Sequence, residues 1–148
     1  MKRIFTTLFV VGCLISCKVE HPNSNSSNGS IEGTWQLVYG SIKEKDTLIV
    51  KDLSNTSFIK IINTSHFAFF NQAENDASQF YGGAGTYTFD GTNYIEKLTY
   101  TSALDFKGHE FPFTIEIKGD TLIQSGIEKI DAAGIYREIL EKYIKIKP

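Results

Sequence analysis

Residues 111–127, FPFTIEIKGDTLIQSGI, decide the fold class of this chain. Phe111, Phe113, Ile115 and Ile117 alternate with Pro112, Thr114, Glu116 and Lys118. A period of two puts the apolar set on one face of a half-buried β-strand. Gly119-Asp120 then turns the chain into a second apolar run over 121–127, so two antiparallel strands joined by a tight turn are predicted.

The same pattern repeats upstream. Segments 86–89 and 94–101 flank Asp90-Gly91-Thr92-Asn93, and Asp-Gly is a strong hairpin dipeptide. Segments 57–62 and 66–71 flank Asn63-Thr64-Ser65, and 47–50 is a short apolar run. Segment 33–39 alternates, with Trp35, Leu37 and Tyr39 sharing one face. Short spacings with turns between them predict sequential antiparallel hairpins. Eight or nine strands over residues 31–148 suit an all-β, up-and-down antiparallel barrel, with 102–110 as the longest connection of the second half. The C-terminus reads two ways. Tyr136, Ile139, Leu140 and Tyr143 form a helical stripe, and Glu138 precedes Lys142 by four, so pattern alone favours a helix there.

The chain has 148 residues, enough for one folded domain beside a leader. Lys2 and Arg3 precede an apolar run over 4–15. That run has the length of a signal peptide, whereas a spanning helix needs about 20 residues. It ends Leu14-Ile15-Ser16-Cys17, which resembles the bacterial lipobox. The resemblance implies lipid transfer to the Cys17 thiol and cleavage before it. Residues 1–16 are then a signal peptide, and 17–30 are a lipidated cysteine and a polar tether with one aliphatic residue, Val19. The membrane is the first expected partner, through lipid on Cys17, and the expected location is the bacterial envelope at the outer membrane. Two or more acyl chains give stable anchoring. Lys18 follows the cysteine with no acidic run behind it, so nothing selects surface display over the periplasmic side.

Loss of Lys2 and Arg3 takes the formal charge from −2 to −4, which speaks against nucleic acid as a partner. Cys13 would leave with the signal and Cys17 would be alkylated, so the domain must stand on its core without a disulfide.

Gly33-Thr34-Trp35 resembles the Gly-x-Trp that opens the first strand of lipocalins. An ordered set of stretches is similar to a family of uncharacterised, lipocalin-like lipoproteins of Bacteroidetes-type bacteria. The set is 33–38, Phe58-Ile59-Lys60-Ile61, Phe67-Ala68-Phe69-Phe70, 83–88, Tyr94-Ile95-Glu96 and Tyr136-Arg137. The resemblance covers most of 31–140 and implies a barrel, without implying a ligand. It also implies a closing strand over at least 135–140, against the helical stripe. Lipocalins place an Arg from the end of the barrel over the Trp of the first strand, and Arg137 over Trp35 is the corresponding structural pair.

Glu96 stands out among the candidate site residues. Strand parity puts it on one face with Tyr94, Leu98 and Tyr100, a face that reads as inward. An inward carboxylate must be paired, protonated or wet. It is either a polar anchor for a ligand or the partner of Arg137 or a Tyr hydroxyl. The ligand-lining set expected around it is Trp35, Tyr87, Tyr94, Tyr100 and Phe113.

The glycines of Gly82-Gly83-Ala84-Gly85 fit a turn, bulge or crowded sheet position, since a phosphate loop would need a following helix. His21, His66 and His109 have no ligand-like spacing, so neither a metal site nor a cofactor is expected. No Ser, Cys or carboxylate sits in a recognisable catalytic motif, and an enzyme is not expected. Asp46-Thr47-Leu48 and Asp120-Thr121-Leu122 resemble the O-glycosylation sequon of exported proteins of such bacteria, with Thr47 and Thr121 as acceptors. Each also reads as a turn Asp leading into a strand. Two functions stay open. One is a barrel holding a small apolar or amphipathic ligand. The other is a solid-cored lipoprotein that meets a protein or envelope partner through its outer surface.

Overall fold

The computed structural model describes residues 30–147. The expected signal peptide, Cys17 and the tether up to residue 29 lie outside the described residues. Nine strands follow in chain order: β1 Gly33–Glu44, β2 Thr47–Val50, β3 Thr56–Ile62, β4 His66–Ala73, β5 Tyr81–Phe89, β6 Asn93–Thr101, β7 Glu110–Lys118, β8 Thr121–Ile130 and β9 Ile135–Lys145. Single 3-10 turns lie at Ala77–Gln79, Leu104–Phe106 and Asp131–Ala133.

All neighbouring strands pair antiparallel, and β1 also pairs with β9 from Trp35↔Lys145 to Lys43↔Glu138. That last pairing closes β1 and β3–β9 into an eight-stranded up-and-down barrel, as the meander predicts. β2 is the extra strand. It forms a hairpin with the outer half of β1, from Ser41↔Val50 to Glu44↔Thr47. The strand reading of the C-terminus is the one the barrel adopts, and the helical stripe is not. β9 turns Ile139 and Tyr143 inward together with Glu141, while Tyr136 is exposed. Charged residues at inward positions hide the period of two and leave a false 3.6 period.

The two ends of the barrel differ. At one end lie the β3–β4, β5–β6 and β7–β8 turns and the residues leading into β1. Trp35, Ile62, Phe67, Tyr94, Ile115, Leu122 and Tyr143 pack there as a floor, each buried to within a few per cent. Trp35 Nε1 donates to the Ile31 carbonyl at 2.8 Å, so the indole is satisfied as well as buried. Full burial of such side chains is worth about 1.5–3 kcal/mol each, which a domain with no disulfide needs. The other end carries the longer connections 74–80 and 102–109 and stays partly open.

Two bulges decide which side chains face the lumen. In β1, Leu37 pairs with Tyr143 and Tyr39 with Lys142, leaving Val38 as an extra residue. Tyr39 therefore turns outward, where Lys142 lies 5.4 Å from its ring centroid, and does not share the face of Trp35 and Leu37. In β6, Leu98 pairs with Gly85 and Tyr100 with Ala84, leaving Thr99 extra. The glycine run occupies the crowded sheet position expected of it. A Cβ on Gly85 would lie 1.8 Å from the Lys97 carbonyl oxygen, so only glycine fits beside this bulge.

Candidate functional site

Above the floor, the lumen is charged. Lys60 projects inward from β3 between Phe58 and Ile62, and its side chain is 2% exposed. Its ammonium pairs with Glu96 of β6 across the lumen and donates to Gln124 Oε1 of β8 at 2.6 Å. The rings of Tyr94, Phe67 and Tyr143 lie 5.2, 5.5 and 5.8 Å from Lys60 Nζ. Their electron-rich faces complete the cation's surroundings. One lysine thus ties three separated strands together, and its burial is tolerable only because the counter-charge is in contact.

A second pair lies higher. Lys51, just past β2, donates to Glu141 Oε1 at 2.6 Å, and the Tyr143 hydroxyl donates to Glu141 Oε2 at 2.5 Å. Burial alone would raise the Glu141 carboxyl. Attraction to Lys51 and Lys60 and hydrogen bonds from Lys51 and Tyr143 outweigh it and hold the group below the usual carboxylate value. Burial works against the Lys51 charge in turn, yet Glu141 lifts the ammonium above its ordinary value. The Tyr143 hydroxyl is pushed well up by burial and by the negative charge of Glu141.

The third pair stands near the mouth. Arg137 of β9 contacts Glu128 Oε2 of β8 at 2.5 Å, and its guanidinium lies 4.9 Å from the ring centroid of Phe106. Burial dominates at Glu128 and raises its carboxyl despite Arg137.

These groups surround a cavity of about 360 Å³ inside the barrel. Its apolar wall is made by Phe58, Phe69, Leu98, Phe106, Phe113 and Ile139, and its polar groups are the three ion pairs, Gln124 and the hydroxyl-bearing Tyr81, Thr101, Ser102 and Tyr143. The size falls at the lower end of the roughly 300–1,000 Å³ found for small-molecule sites, and an apolar wall with a few convergent polar groups is their usual make-up.

The structure brings only two of the expected lining residues to this cavity, Glu96 and Phe113. Glu96 is inward and buried, as parity predicts, but its ion-pair partner is Lys60 and not Arg137. Trp35 and Tyr94 belong to the floor beneath, and the Tyr94 hydroxyl is buried without a hydrogen-bond partner. Tyr87 packs on Tyr94 at the closed end and donates to the Asn63 carbonyl at 2.7 Å. Tyr100 is 69% exposed on the outer wall, because the Thr99 bulge reverses parity after Leu98 and turns Thr101 to the cavity instead. Arg137 does not cover Trp35. Lys145 does, 5.1 Å from the ring centroid, while Arg137 sits toward the opposite end. Thr47 is exposed and Thr121 half-buried, each the first residue of a strand after a turn.

Lys51, Lys60, Gln124, Glu128 and Glu141 are site residues that sequence reading misses. Parity could have found three of them. Lys60 shares a face with Phe58 and Ile62, Gln124 with Leu122, and Glu141 with Ile139 and Tyr143. Ile59 and Ile61 make the opposite face of β3 equally apolar, so the face of Lys60 is not evident.

The fold and site define a closed eight-stranded up-and-down barrel with a charged, half-open lumen. No protein-family profile matches the chain, and no curated protein or solved structure matches it either.

Proposed function

We propose that this protein is a lipid-anchored, lipocalin-like binding module that holds a small amphipathic molecule in its barrel. The observation that carries the reading is the cavity of about 360 Å³, walled by aromatic and aliphatic side chains and backed by polar groups from β3, β6, β8 and β9. A barrel built only for stability would fill this space. Replacing a buried ion pair by well-packed apolar residues is often neutral or stabilising, so one buried and two part-buried pairs around an open space point to a use for them.

The anchor follows from the lipobox-like stretch ending in Cys17. Ser30 and Ile31 lead into β1 at the floor end. A lipid anchor on Cys17 therefore attaches to the barrel from its floor end, opposite the mouth and its 74–80 and 102–109 connections.

The test is native mass spectrometry of the purified protein, with solvent extraction of whatever it carries, alongside uptake of a neutral fluorescent probe. A bound small molecule or saturable uptake is expected. Ile42→Trp, which puts a bulky indole in place of a branched aliphatic side chain at a half-buried position in the cavity wall, is expected to remove it. A protein that carries nothing and takes up no probe would defeat the reading.

One observation favours the second reading, a partner met through the outer surface. Leu48, Ile49 and Val50 of the edge strand β2 are 52–61% exposed, and Val38 of β1 adds to them. Crosslinking from β2 in intact cells that captures one protein reproducibly would support it, and failure to capture any would count against it.

A further inference from the structure

The charge balance of the cavity narrows the ligand class. Three cations and three carboxylates line it, each cation in contact with one carboxylate: Lys60 with Glu96, Lys51 with Glu141 and Arg137 with Glu128. The cavity therefore carries no net charge. A ligand carboxylate entering it would lose its hydration and meet only cations already bound to a glutamate. A ligand ammonium would face the mirror of that difficulty. The hydrogen-bonding capacity, by contrast, is not used up. Among the described residues, Lys51 donates to Glu141 alone, which leaves two ammonium protons, and the side-chain amide N–H groups of Gln124 have no partner. Those donors suit a neutral acceptor.

We infer that the cavity selects a net-neutral amphiphile: an apolar chain or ring against Phe58, Phe69 and Phe106, with an uncharged hydroxyl, ester or amide head at Lys51 and Gln124. A fatty-acid anion of the same chain is rejected. This selectivity rests on the ligand-binding reading above, and the experiment separates the two.

The purified protein is loaded with the neutral probe N-phenylnaphthylamine at neutral pH. The probe is then displaced by a matched series: dodecanol, dodecanamide and monolauroylglycerol against dodecanoate and dodecylamine. The neutral heads are expected to displace it at concentrations at least about tenfold lower than either charged head. Glu128→Gln, at a half-buried position near the mouth, frees Arg137 and gives the cavity one positive charge. It should improve dodecanoate relative to dodecanol by about tenfold. Lys51→Met gives one negative charge and should improve dodecylamine in the same way. Dodecanoate binding the wild type as well as dodecanol would overturn the inference, and so would an order of preference that neither variant changes. A probe that binds while no head group discriminates defeats the selectivity alone. A probe that never binds defeats the ligand-binding reading and this inference with it.

Discussion

Glu96→Gln tests the reading that a buried ion pair, Lys60 with Glu96, holds the lumen together. Side-chain exposure at the pair is 2% for Lys60 and 9% for Glu96. Removing the charge of one partner while the other stays buried costs about 3–5 kcal/mol. Two features of the site pull the value toward the lower bound. The glutamine carbonyl can still accept from Lys60, and Gln124 with the faces of Phe67, Tyr94 and Tyr143 still surrounds the cation. The expected loss is thus about 3 kcal/mol, or roughly 10 °C in melting temperature for a domain of this size. Removing both charges should cost much less, because the desolvation penalty goes with them. Lys60→Met combined with Glu96→Leu is expected within about 1 kcal/mol of wild type. The assay is urea unfolding at neutral pH of wild type, Glu96→Gln, Lys60→Met, Glu96→Leu and the Lys60→Met/Glu96→Leu double variant, the last three read against wild type as a double-mutant cycle. A loss under about 1 kcal/mol for Glu96→Gln would mean that water reaches the pair. A double variant less stable than either single one would refute the desolvation argument itself.

Gly85→Ala should destabilise by about 3 kcal/mol or more, since the new Cβ meets the backbone carbonyl of Lys97 and no side chain can move aside; denaturant unfolding measures it. Acid stability depends on Glu141 with a definite sign. Its carboxyl is held below the ordinary value, so it stabilises the barrel at neutral pH and that contribution is lost as pH falls through its folded value. Glu128, raised by burial, works oppositely: its cost is present at neutral pH and eases as pH falls through its raised value. Glu141→Gln should therefore lower stability at neutral pH and flatten the acid side of the stability profile, which unfolding across a pH series would show.

Much of the barrel was legible in the sequence because its strands alternate and its turns carry their own chemistry. Phe111 to Lys118 reads as a strand from side-chain period alone, and Asp90-Gly91 and Gly119-Asp120 mark hairpins by their backbone preferences. Glu96 was placed inward by parity with Tyr94 and Leu98. Each of these is a local property, encoded within a few residues of where it acts.

What the tertiary structure decided lies where local signals cancel or where one residue shifts the frame. The Val38 and Thr99 bulges each insert a residue that no composition marks, and each reverses the face of every side chain beyond it, which put Tyr39 and Tyr100 outside. β9 looked helical because Arg137 and Glu141 occupy inward positions that an alternating pattern would fill with apolar residues. Those charges are stable there because Glu128, opposite Arg137 on the neighbouring β8, and Lys51, beside Gly40 of the neighbouring β1, meet them. The pairing of Lys60 with Glu96 spans the lumen between strands 36 residues apart in sequence. Parity can turn a charge inward, but which opposite charge it meets is set by barrel closure and shear, a property of all eight strands together.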